Sequence, residues 1–597
     1  MDGTSTDPAP PVDAGSRFNR RGDAGRRPAV TLVAVLLAAG CGSPQPTSST
    51  SAPGSGSLPP SGSADIACPL PTPMPFQAGG WWNDRVFYEL FVRSFADSNG
   101  DGIGDLRGLT ARLDYLSDGE RLGGDDLGVG ALWLMPIFSA VSYHGYDVID
   151  YDQIDPRYGD VADFAAFVDA AHQRDIKVIL DLVINHTSAE HPWFRDAVAG
   201  GPYRDWYIWR DSDPGWPGVA GGSPWHETPS GWYYGAFGAQ MPDLNLANPA
   251  VTAEIERIAR DWLDKGVDGF RLDAAKHLIE TGPSSQVNTL ETRAWLSRFR
   301  DALHATHPDA LVLGEVWEPR VVTTGYVSDG SLDMAFDFGF GPAALDAARL
   351  GDATTLTVGL SEIADRYPAG TAATFLTNHD QPRVMTELRG DRVAARQAAE
   401  ALLTGPGVPF VYYGEELGLR GAKPDEDIRT PFPWTAADPG FGFTTGTPWE
   451  AFAPDPRTAN VAVEAADPTS LLSTYRDLIR TRSTAPVLGR GGVWPVEVAR
   501  RDLAVTLRWQ GNQGALVIQN LGERPAESPA MTLATGPLCG NPRAAVIFRS
   551  AGTADQGAAT GQAIAASPSV TPGGGLKGYV PLPLIPARTT IVVALTP

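Results

Sequence analysis

Four stretches of the chain place carboxylate, arginine and histidine side chains directly after apolar runs. They are DLVINH (181–186), GFRLDAAKH (269–277), GEVW (314–317) and FLTNHD (375–380). Charged groups are costly to bury unless they are paired, so mixed charge at the end of an apolar strand indicates a site that needs charge. Carboxyl groups held close together can act as nucleophile, general acid or general base.

Alternating strand and helix patterns predict the framework that holds these stretches. Between residue 85 and about residue 418, eight apolar runs alternate with amphipathic segments such as 161–174, 253–266 and 392–403. Eight strand–helix repeats predict a parallel sheet closed into a (β/α)8 TIM barrel, whose reactive groups lie at the C-terminal ends of the strands. Strands three, four, five and seven each end in one of the four stretches. A single polar strand end is often only a cap, but four in barrel order are hard to assign to chance.

Two other regions depart from this alternation. Segment 187–246, directly after strand three, is long and rich in Trp, Tyr, Gly and Pro, which predicts an inserted subdomain. Short alternating apolar runs predict an all-β domain over 486–597. The barrel is therefore expected to comprise residues 81–186 and 247–485.

The N-terminal segment has the composition of an export signal. Basic residues precede an apolar run, 29–40, that is too short to span a bilayer and ends in small residues before Cys41. This pattern resembles the lipobox of bacterial lipoproteins, although Ala38 departs from the usual Leu. We expect a signal peptide over 1–41, a lipid anchor at Cys41 and a Ser/Pro/Gly-rich tether over 42–80. The protein is then extracytoplasmic and anchored to the cell membrane; plain secretion is the alternative.

Composition and cysteine content limit the partners further. The 597-residue chain has a formal net charge of −23, which argues against nucleic acid or an anionic membrane surface as a partner. Its 16 Trp and 16 Tyr residues suit binding of neutral sugars. Cys68 and Cys539 remain once Cys41 is assigned to the anchor, and in an oxidising compartment they can pair. That disulfide is an expectation, because sequence alone does not show that the two residues meet.

The four stretches resemble signature regions of the α-amylase family of glycoside hydrolases, family 13, in the same order. A fifth region, MPDLN (241–245), is similar to the family segment at the end of the inserted domain. The resemblance covers roughly residues 81–597. It implies a barrel domain A, an inserted domain B after strand three and a C-terminal β-sandwich domain C, acting on α-glucans.

The resemblance also implies roles for individual side chains. Retaining cleavage of a glycosidic bond needs a carboxylate nucleophile and a carboxylic acid roughly 5–5.5 Å apart. By motif match, Asp273 is the nucleophile, Glu315 the general acid and base, and Asp380 the third carboxylate that binds and distorts the sugar. Arg271 points to the same side of its strand as Asp273 and would keep it ionised. A purely structural Arg–Asp ion pair is the alternative interpretation of these two residues.

Further positions match sugar-binding residues of the family. His144 and His379 correspond to histidines that hydrogen-bond the cleaved glucose, and Tyr146 to a tyrosine that stacks beneath it. Lys276 and His277 resemble the pair that contacts sugars on the leaving-group side in α-amylases, which favours a long substrate. His144, Tyr146 and His379, each taken alone, could belong to a turn or to the core.

The resemblance implies two calcium sites as well. The loop ADSNGDGIGD supplies oxygen ligands at alternate positions: Asp97, Asn99, Asp101, the carbonyl of Ile103, and Asp105. A second Ca²⁺ would lie between Asn185, Asp243 and the carbonyl of His277, although members with a QPDLN-like segment often lack it. An Asx-rich solvated turn is the alternative for the first loop.

These observations together predict a monomeric α-amylase that hydrolyses internal α-1,4-glucosidic bonds of starch and maltooligosaccharides with retention. The MPDLN segment places it in the intermediate group of the family. An α-glucosidase, transglycosylase or trehalose-forming enzyme on the same scaffold is the closest alternative. A non-catalytic sugar-binding lipoprotein is a further one. Exo-acting members usually carry an aspartate where this chain has Tyr143, and its absence favours internal cleavage.

Overall fold

The structure is a computed structural model that describes residues 80–120, 124–218, 221–540, 542–550 and 560–596. The predicted signal peptide, the lipid-anchor residue Cys41 and all but the last residue of the predicted tether lie outside the described residues. Within the described ranges, no helix is both long enough and apolar enough to cross a bilayer.

Eight parallel strands form the predicted closed barrel. They are β1 (Phe87–Leu90), β2 (Ala131–Leu134), β3 (Lys177–Leu182), β4 (Gly269–Leu272), β5 (Leu311–Gly314), β6 (Met334–Phe336), β7 (Ala372–Phe375) and β8 (Val408–Tyr412). Each strand pairs with its sequence neighbour, and β1 closes the barrel by pairing with β8. Phe87, for example, lies opposite both Ala131 of β2 and Phe410 of β8. The predicted fold class is confirmed.

Helices follow the strands and cover the outside of the barrel. The longer ones are Val161–Gln173, Pro249–Asp264, Leu290–His304, Arg320–Ser328, Phe340–Leu350, Thr354–Arg366, Arg392–Thr404 and Leu471–Thr484. The helix predicted over 253–266 begins four residues earlier, because Asn248 caps it through the N–H of Ala250 and Pro249 occupies its first position. Short helices and a 3₁₀ turn precede the helix at Val161: Trp81–Asp84, Val92–Phe95, Leu106–Thr110 and Leu113–Leu116.

Extra structure extends the barrel at the ends of β2 and β3. A hairpin of Phe138–Ala140 and Val148–Ile154 follows β2. After β3, the inserted segment carries the helix Pro192–Val198 and a three-stranded antiparallel sheet of Trp209–Arg210, Gly231–Tyr234 and Trp225–Thr228. An isolated bridge between His186 and Asp243 joins the start and the end of this segment.

The C-terminal region is antiparallel, as predicted. Its main sheet has the order Gly492–Pro495, Leu503–Gln510, Gln513–Asn520, Thr589–Thr596, Arg543–Arg549 and Ala563–Ile564. Smaller sheets pair Glu497–Val498, Met531–Leu533 and Leu576–Tyr579, and pair Ala526–Glu527 with Leu584–Ile585. Cys539 is disulfide-bonded, whereas Cys68 lies outside the described residues, so the pairing of these two residues stays a prediction.

Candidate active site

Three carboxylates project from the ends of β4, β5 and β7 into one cleft. Asp273 follows β4 directly, Glu315 follows β5 directly, and Asp380 lies five residues after β7. All three line a cleft of about 500 Å³ at the C-terminal end of the barrel. The side chains that the sequence selected as a catalytic group are therefore brought together.

Arg271 links the two carboxylates that the reaction needs most. Its guanidinium is buried, donates from Nη1 to Oδ1 of Asp273 at 2.5 Å, and contacts Oε2 of Glu315 from Nη2 at 2.8 Å. The same Nη1 donates to Oδ1 of Asp181 at 2.8 Å. One guanidinium thus holds the two groups close together, as a retaining mechanism requires.

The main chain after β4 also positions Glu315. Ala274 has a φ of 48°, in the left-handed region that costs a residue with a Cβ some free energy. In this conformation its N–H donates to Oε2 of Glu315 at 3.0 Å. The strain at Ala274 is offset by a hydrogen bond that fixes one oxygen of the candidate acid.

The electrostatic environment separates the roles of the carboxylates. Burial raises the pKa of Glu315 above its ordinary value, Arg271 opposes this shift, and Asp273 and Asp380 add to it. Burial would also raise the pKa of Asp380, but His379, Arg429 and Arg271 together hold it below its ordinary value. Glu315 is therefore suited to carry a proton, whereas Asp380 is suited to stay ionised.

The predicted sugar-binding residues lie around these groups. His144, Tyr146, Lys276 and His277 line the cleft. The rings of Tyr146 and His379 are stacked, with centroids 5.6 Å apart and planes 12° apart. Burial lowers the pKa of His277 to about 4, so its ring is neutral near pH 7.

Sequence reasoning missed two aromatic rings in the cleft. Trp317 is 46% exposed and stacks on Phe338, with centroids 4.5 Å apart and an interplanar angle of 11°. Phe237 of the inserted segment is 37% exposed and packs edge-on against His277. The GEVW motif contains Trp317 and could have indicated it, whereas no motif contains Phe237.

Sequence reasoning also missed a charged pair in the cleft, Arg429 and Asp425. Arg429 donates from Nη2 to Oδ1 of Asp380 at 3.0 Å and lies 3.4 Å from Oδ2 of Asp425. Arg429 and Asp425 belong to the long loop after β8, where Asp425–Ile428 forms a short helix. This loop carries none of the stretches that drew attention to the strand ends.

The loop predicted to bind calcium satisfies much of its own hydrogen bonding. Each carboxylate oxygen of Asp97 accepts two donors: Oδ1 the N–H groups of Asn99 and Gly100, and Oδ2 the N–H of Gly102 and the hydroxyl of Thr444. Asp105 caps the helix Leu106–Thr110 through the N–H of Gly108 and accepts from Ser98. Oδ1 of Asp101 accepts from the N–H of Ile103. The turn is therefore explained without a cation, and calcium there stays a prediction.

The second predicted calcium site contains a buried carboxylate, Asp243, that lies close enough to Glu280 for Glu280 to affect its pKa. Asp243 is buried and accepts from Asn185 Nδ2 at 3.1 Å and from Ala236 N at 3.0 Å. Burial, and then the neighbouring Glu280, raise its pKa well above the ordinary value. Burial also raises the pKa of Glu280 to about 7, and the buried Oε1 of Glu280 has no hydrogen-bond partner.

Two close carboxylates with a bare oxygen fit a divalent cation better than the loop does. Glu280 was not selected from the sequence, since no motif marks it. Across the described residues, no group of three or more His, Cys, Asp or Glu side chains is arranged to hold a metal. A cation here would therefore depend on amide and main-chain oxygens, such as those of Asn185 and the predicted carbonyl of His277.

Comparison with known proteins places this geometry in a family. A family model described as the catalytic domain of α-amylase matches residues 89–491. The chain is 38% identical over 454 residues to Alpha-amylase 3 of Dictyoglomus thermophilum, an alignment that covers 74% of this chain and 85% of that protein. It is 35% identical over 496 residues to the trehalose synthase of Thermus thermophilus, covering 74% of this chain and 50% of that protein.

A solved structure supports the same assignment. The crystal structure of α-amylase from H. orenii superposes with a TM-score of 0.73 at 39% identity, covering 86% of this chain and 99% of that chain. Sequence, fold and the arrangement of three carboxylates agree. The chain belongs to the α-amylase family of glycoside hydrolases.

Proposed function

We propose that the protein is an α-amylase that hydrolyses internal α-1,4-glucosidic bonds of starch and maltooligosaccharides with retention. The observation that carries the proposal is a cleft of about 500 Å³ in which further aromatic and charged side chains surround the Asp273–Glu315 pair. Trp317, Lys276 and Phe237 line it together with His144 and Asp380. A cleft with this many binding groups suits a chain of several sugars better than a pocket closed behind one sugar does.

In the first step, Asp273 attacks the anomeric carbon while Glu315 protonates the leaving oxygen. Oδ1 of Asp273 and Oε2 of Glu315 are both engaged by Arg271. In the described part of the chain, no donor contacts Oδ2 of Asp273 or Oε1 of Glu315, so these oxygens are free to react. The C–O bond of the glycoside breaks as the bond from carbon to Asp273 forms, giving a covalent glycosyl-enzyme.

In the second step, Glu315 acts as a base. Having given up its proton, it takes one from a water molecule, whose oxygen attacks the same carbon and releases Asp273. Two inversions give net retention. Glu315 ends the cycle protonated, as its raised pKa favours.

The leaving-group side has features that suit sugar residues. One face of Trp317 is covered by Phe338, and the ring remains about half exposed in the cleft. Lys276 is held beside it, because its Nζ donates to the carbonyl of Trp317 and to Oε1 of Glu318, both at 2.9 Å. A flat ring and a fixed cation can stack against and hydrogen-bond a glucose unit beyond the scissile bond.

One observation favours a second candidate, an α-glucosidase or a transglycosylating or trehalose-forming enzyme. Arg429 contacts Asp380, pairs with Asp425, and both Arg429 and Asp425 line the cleft. Such a pair could limit the room for further sugars in the cleft, as in an enzyme that removes one terminal glucose. One of the relatives reported above is named trehalose synthase. The complete set of three carboxylates disfavours a non-catalytic sugar-binding protein.

Chromatography of the early products from amylose tests the proposal. An endo-acting enzyme releases a mixture of maltooligosaccharides, and iodine staining falls well before reducing sugar is fully released. Glucose as the sole early product would replace the proposal with the glucosidase candidate.

We further propose that Cys41 is acylated and anchors the protein outside the cytoplasm, and that the enzyme acts as a monomer. The basic segment, the apolar run and the small residues before Cys41 support the anchor. Mass spectrometry of the native protein is expected to find a lipid-modified Cys41 at the N-terminus. An unmodified N-terminus at another residue would contradict the anchor.

A further inference from the structure

Glu89 is a buried carboxylate inside the barrel that the mechanism above does not use. It lies in β1 and is 2% exposed. Its Oε1 lies 2.5 Å from Nδ1 of His379 and accepts from the main-chain N–H of the same residue at 3.3 Å. Among the described residues, His379 is the only cationic partner within ion-pair distance of Glu89.

The other ring nitrogen of His379 faces two groups that require a donor. Nε2 lies 2.7 Å from the hydroxyl of Tyr146 and 3.2 Å from Oδ2 of Asp380. The hydroxyl hydrogen of Tyr146 is donated to Oδ2 of Asp181 at 3.0 Å. The Tyr146 oxygen therefore has to accept from Nε2, and the ionised Asp380 can only accept, so Nε2 has to carry a proton.

The contacts of Nδ1 then determine the charge of the ring. The main-chain N–H of His379 already donates to Oε1 of Glu89, so this oxygen acts as an acceptor, and Nδ1, 2.5 Å away, is expected to donate to it as well. His379 is then an imidazolium. Burial alone would lower the pKa of His379, but Asp380 and Glu89 raise it above its ordinary value.

Other groups around the His379 ring also affect its pKa. Arg429 opposes the charge, since its Nε donates to the carbonyl of His379 at 3.1 Å and it lowers the pKa of His379. Trp133 of β2 contributes only a ring edge, with centroids 5.6 Å apart. Asp380 and Glu89 are the acidic groups that together outweigh burial and Arg429.

We propose that Glu89 is a positioning residue whose carboxylate keeps Nε2–H of His379 directed at Tyr146 and Asp380. Glu89 itself touches no substrate. Through His379 it fixes the orientation of the third carboxylate and of the tyrosine ring that faces the sugar. This is the arrangement by which a buried carboxylate holds a catalytic histidine in one protonation form. The inference rests on the proposed function only in that Asp380 and Tyr146 bind the sugar that Asp273 attacks.

The conservative variant Glu89→Gln removes the negative charge of the side chain and keeps its size and an acceptor oxygen. The amide oxygen can still accept from Nδ1 and from the main-chain N–H, so the fold and the contact persist. A neutral His379 with its proton on Nδ1 would then present a bare Nε2 to two acceptors. The variant lacks the carboxylate that stabilises the imidazolium, so the pKa of His379 is lower than in the wild type. As the pH rises, His379 therefore loses its proton, and the enzyme its activity, at a lower pH than in the wild type.

The experiment compares pH profiles of kcat/KM on maltoheptaose between pH 5 and pH 9. The three proteins are the wild type, Glu89→Gln and Glu416→Gln. Glu416 is a matched control because it is also buried at the C-terminal end of the barrel but bonds to Tyr88 and Tyr115. For Glu89→Gln we expect activity close to wild type near pH 5.5, and a fall towards pH 8 at least tenfold larger than in the wild type. Glu416→Gln is expected to keep the wild-type profile.

Two outcomes would overturn the inference. One is a folded Glu89→Gln protein, with an unchanged melting temperature, whose profile superimposes on that of the wild type. The other is a loss of the same size at every pH, which would indicate a merely structural role. If Glu89→Gln does not fold, the inference is decided by ¹⁵N NMR of the histidine rings in the wild type, with His379→Asn assigning the signal. A ring that loses a proton below pH 7 contradicts it.

Failure of the proposed function is recognised separately. It would show as a wild type that releases only glucose from maltoheptaose, or that does not cleave it. The pH profiles of kcat/KM would then be measured on 4-nitrophenyl α-glucoside, since the same centre serves any retaining α-glucosidase. The inference about Glu89 would be tested by whether Glu89→Gln shifts the profile on that substrate.

Discussion

Lys276 donates a hydrogen bond from its Nζ to the main-chain carbonyl of Trp317, at 2.9 Å. The contact ties the chain after β4 to the chain after β5, on the leaving-group side of the cleft. Removing it with Lys276→Ala is expected to lower kcat/KM on maltoheptaose by about tenfold, equivalent to ~1.4 kcal/mol. The loss on maltotriose should be smaller, because a short substrate reaches less of this side. An equal loss on both substrates would contradict a role in binding long chains.

Trp317 is expected to bind the sugar on the leaving-group side of the scissile bond. Trp317→Ala removes the exposed ring and should raise KM for maltoheptaose by roughly fivefold to tenfold, as loss of one aromatic contact of about 1 kcal/mol implies. Hydrolysis of α-maltosyl fluoride, which has no sugar as leaving group, should change little. Trp317→Phe is the matched control, since it keeps a flat ring. Equal effects on the two substrates would rule out a platform on the leaving-group side.

Glu315 is expected to act as the general acid and base, so a substrate with a good leaving group and an added nucleophile should partly compensate for its loss. Because burial raises its pKa, kcat/KM should decline on the alkaline side as this group loses its proton. Glu315→Gln should lower kcat/KM on maltoheptaose by about 10³-fold, within the range for general acid–base catalysis. With α-maltosyl fluoride and azide the variant should recover turnover and form α-maltosyl azide.

Asp273→Asn is the control for that rescue. It lacks the nucleophile, so any azide product it forms from α-maltosyl fluoride should be the β-anomer, made by a single displacement from the face where Asp273 stood. α-Maltosyl azide from Asp273→Asn, or β-maltosyl azide from Glu315→Gln, would exchange the two assigned roles.

Calcium is expected to stabilise the protein, and the structure favours the Asp243–Glu280 pair as its ligands. A ligand present at 100 times its Kd adds ~2.7 kcal/mol to the free energy of unfolding. Excess chelator should therefore lower the melting temperature by several degrees. Glu280→Gln should abolish that sensitivity if the buried pair holds the ion, and Asp97→Asn should do so if the loop does. An unchanged melt, together with metal analysis that finds no calcium, would contradict both sites.

Much of the barrel and its reaction centre could be predicted because the relevant signals are local. Asp273 and Glu315 directly follow short apolar strands, and Asp380 comes five residues after one, so counting strands was enough to place them. The start of the helix at Pro249 was also available in the sequence as an Asn–Pro pair, a capping signal that the prediction overlooked.

The remaining features depend on tertiary contacts that no local pattern records. Arg429 reaches Asp380 from a loop without periodicity, and Glu280 becomes significant only because folding buries it near Asp243. Glu89 is intermediate between these cases. A glutamate in an apolar strand of a closed barrel is unusual, but its partner His379 lies 290 positions away.

Cleavage of maltoheptaose blocked at its non-reducing end tests internal attack most directly, because an exo-acting enzyme cannot begin on a blocked end. With Trp317 and Lys276 on the leaving-group side and Asp273 and Glu315 at the centre, we expect blocked and unblocked maltoheptaose to be cleaved at rates within about tenfold of each other. The Asp273→Asn variant should cleave neither. A blocked substrate that stays intact while the unblocked one releases glucose would contradict the α-amylase assignment and favour the α-glucosidase candidate.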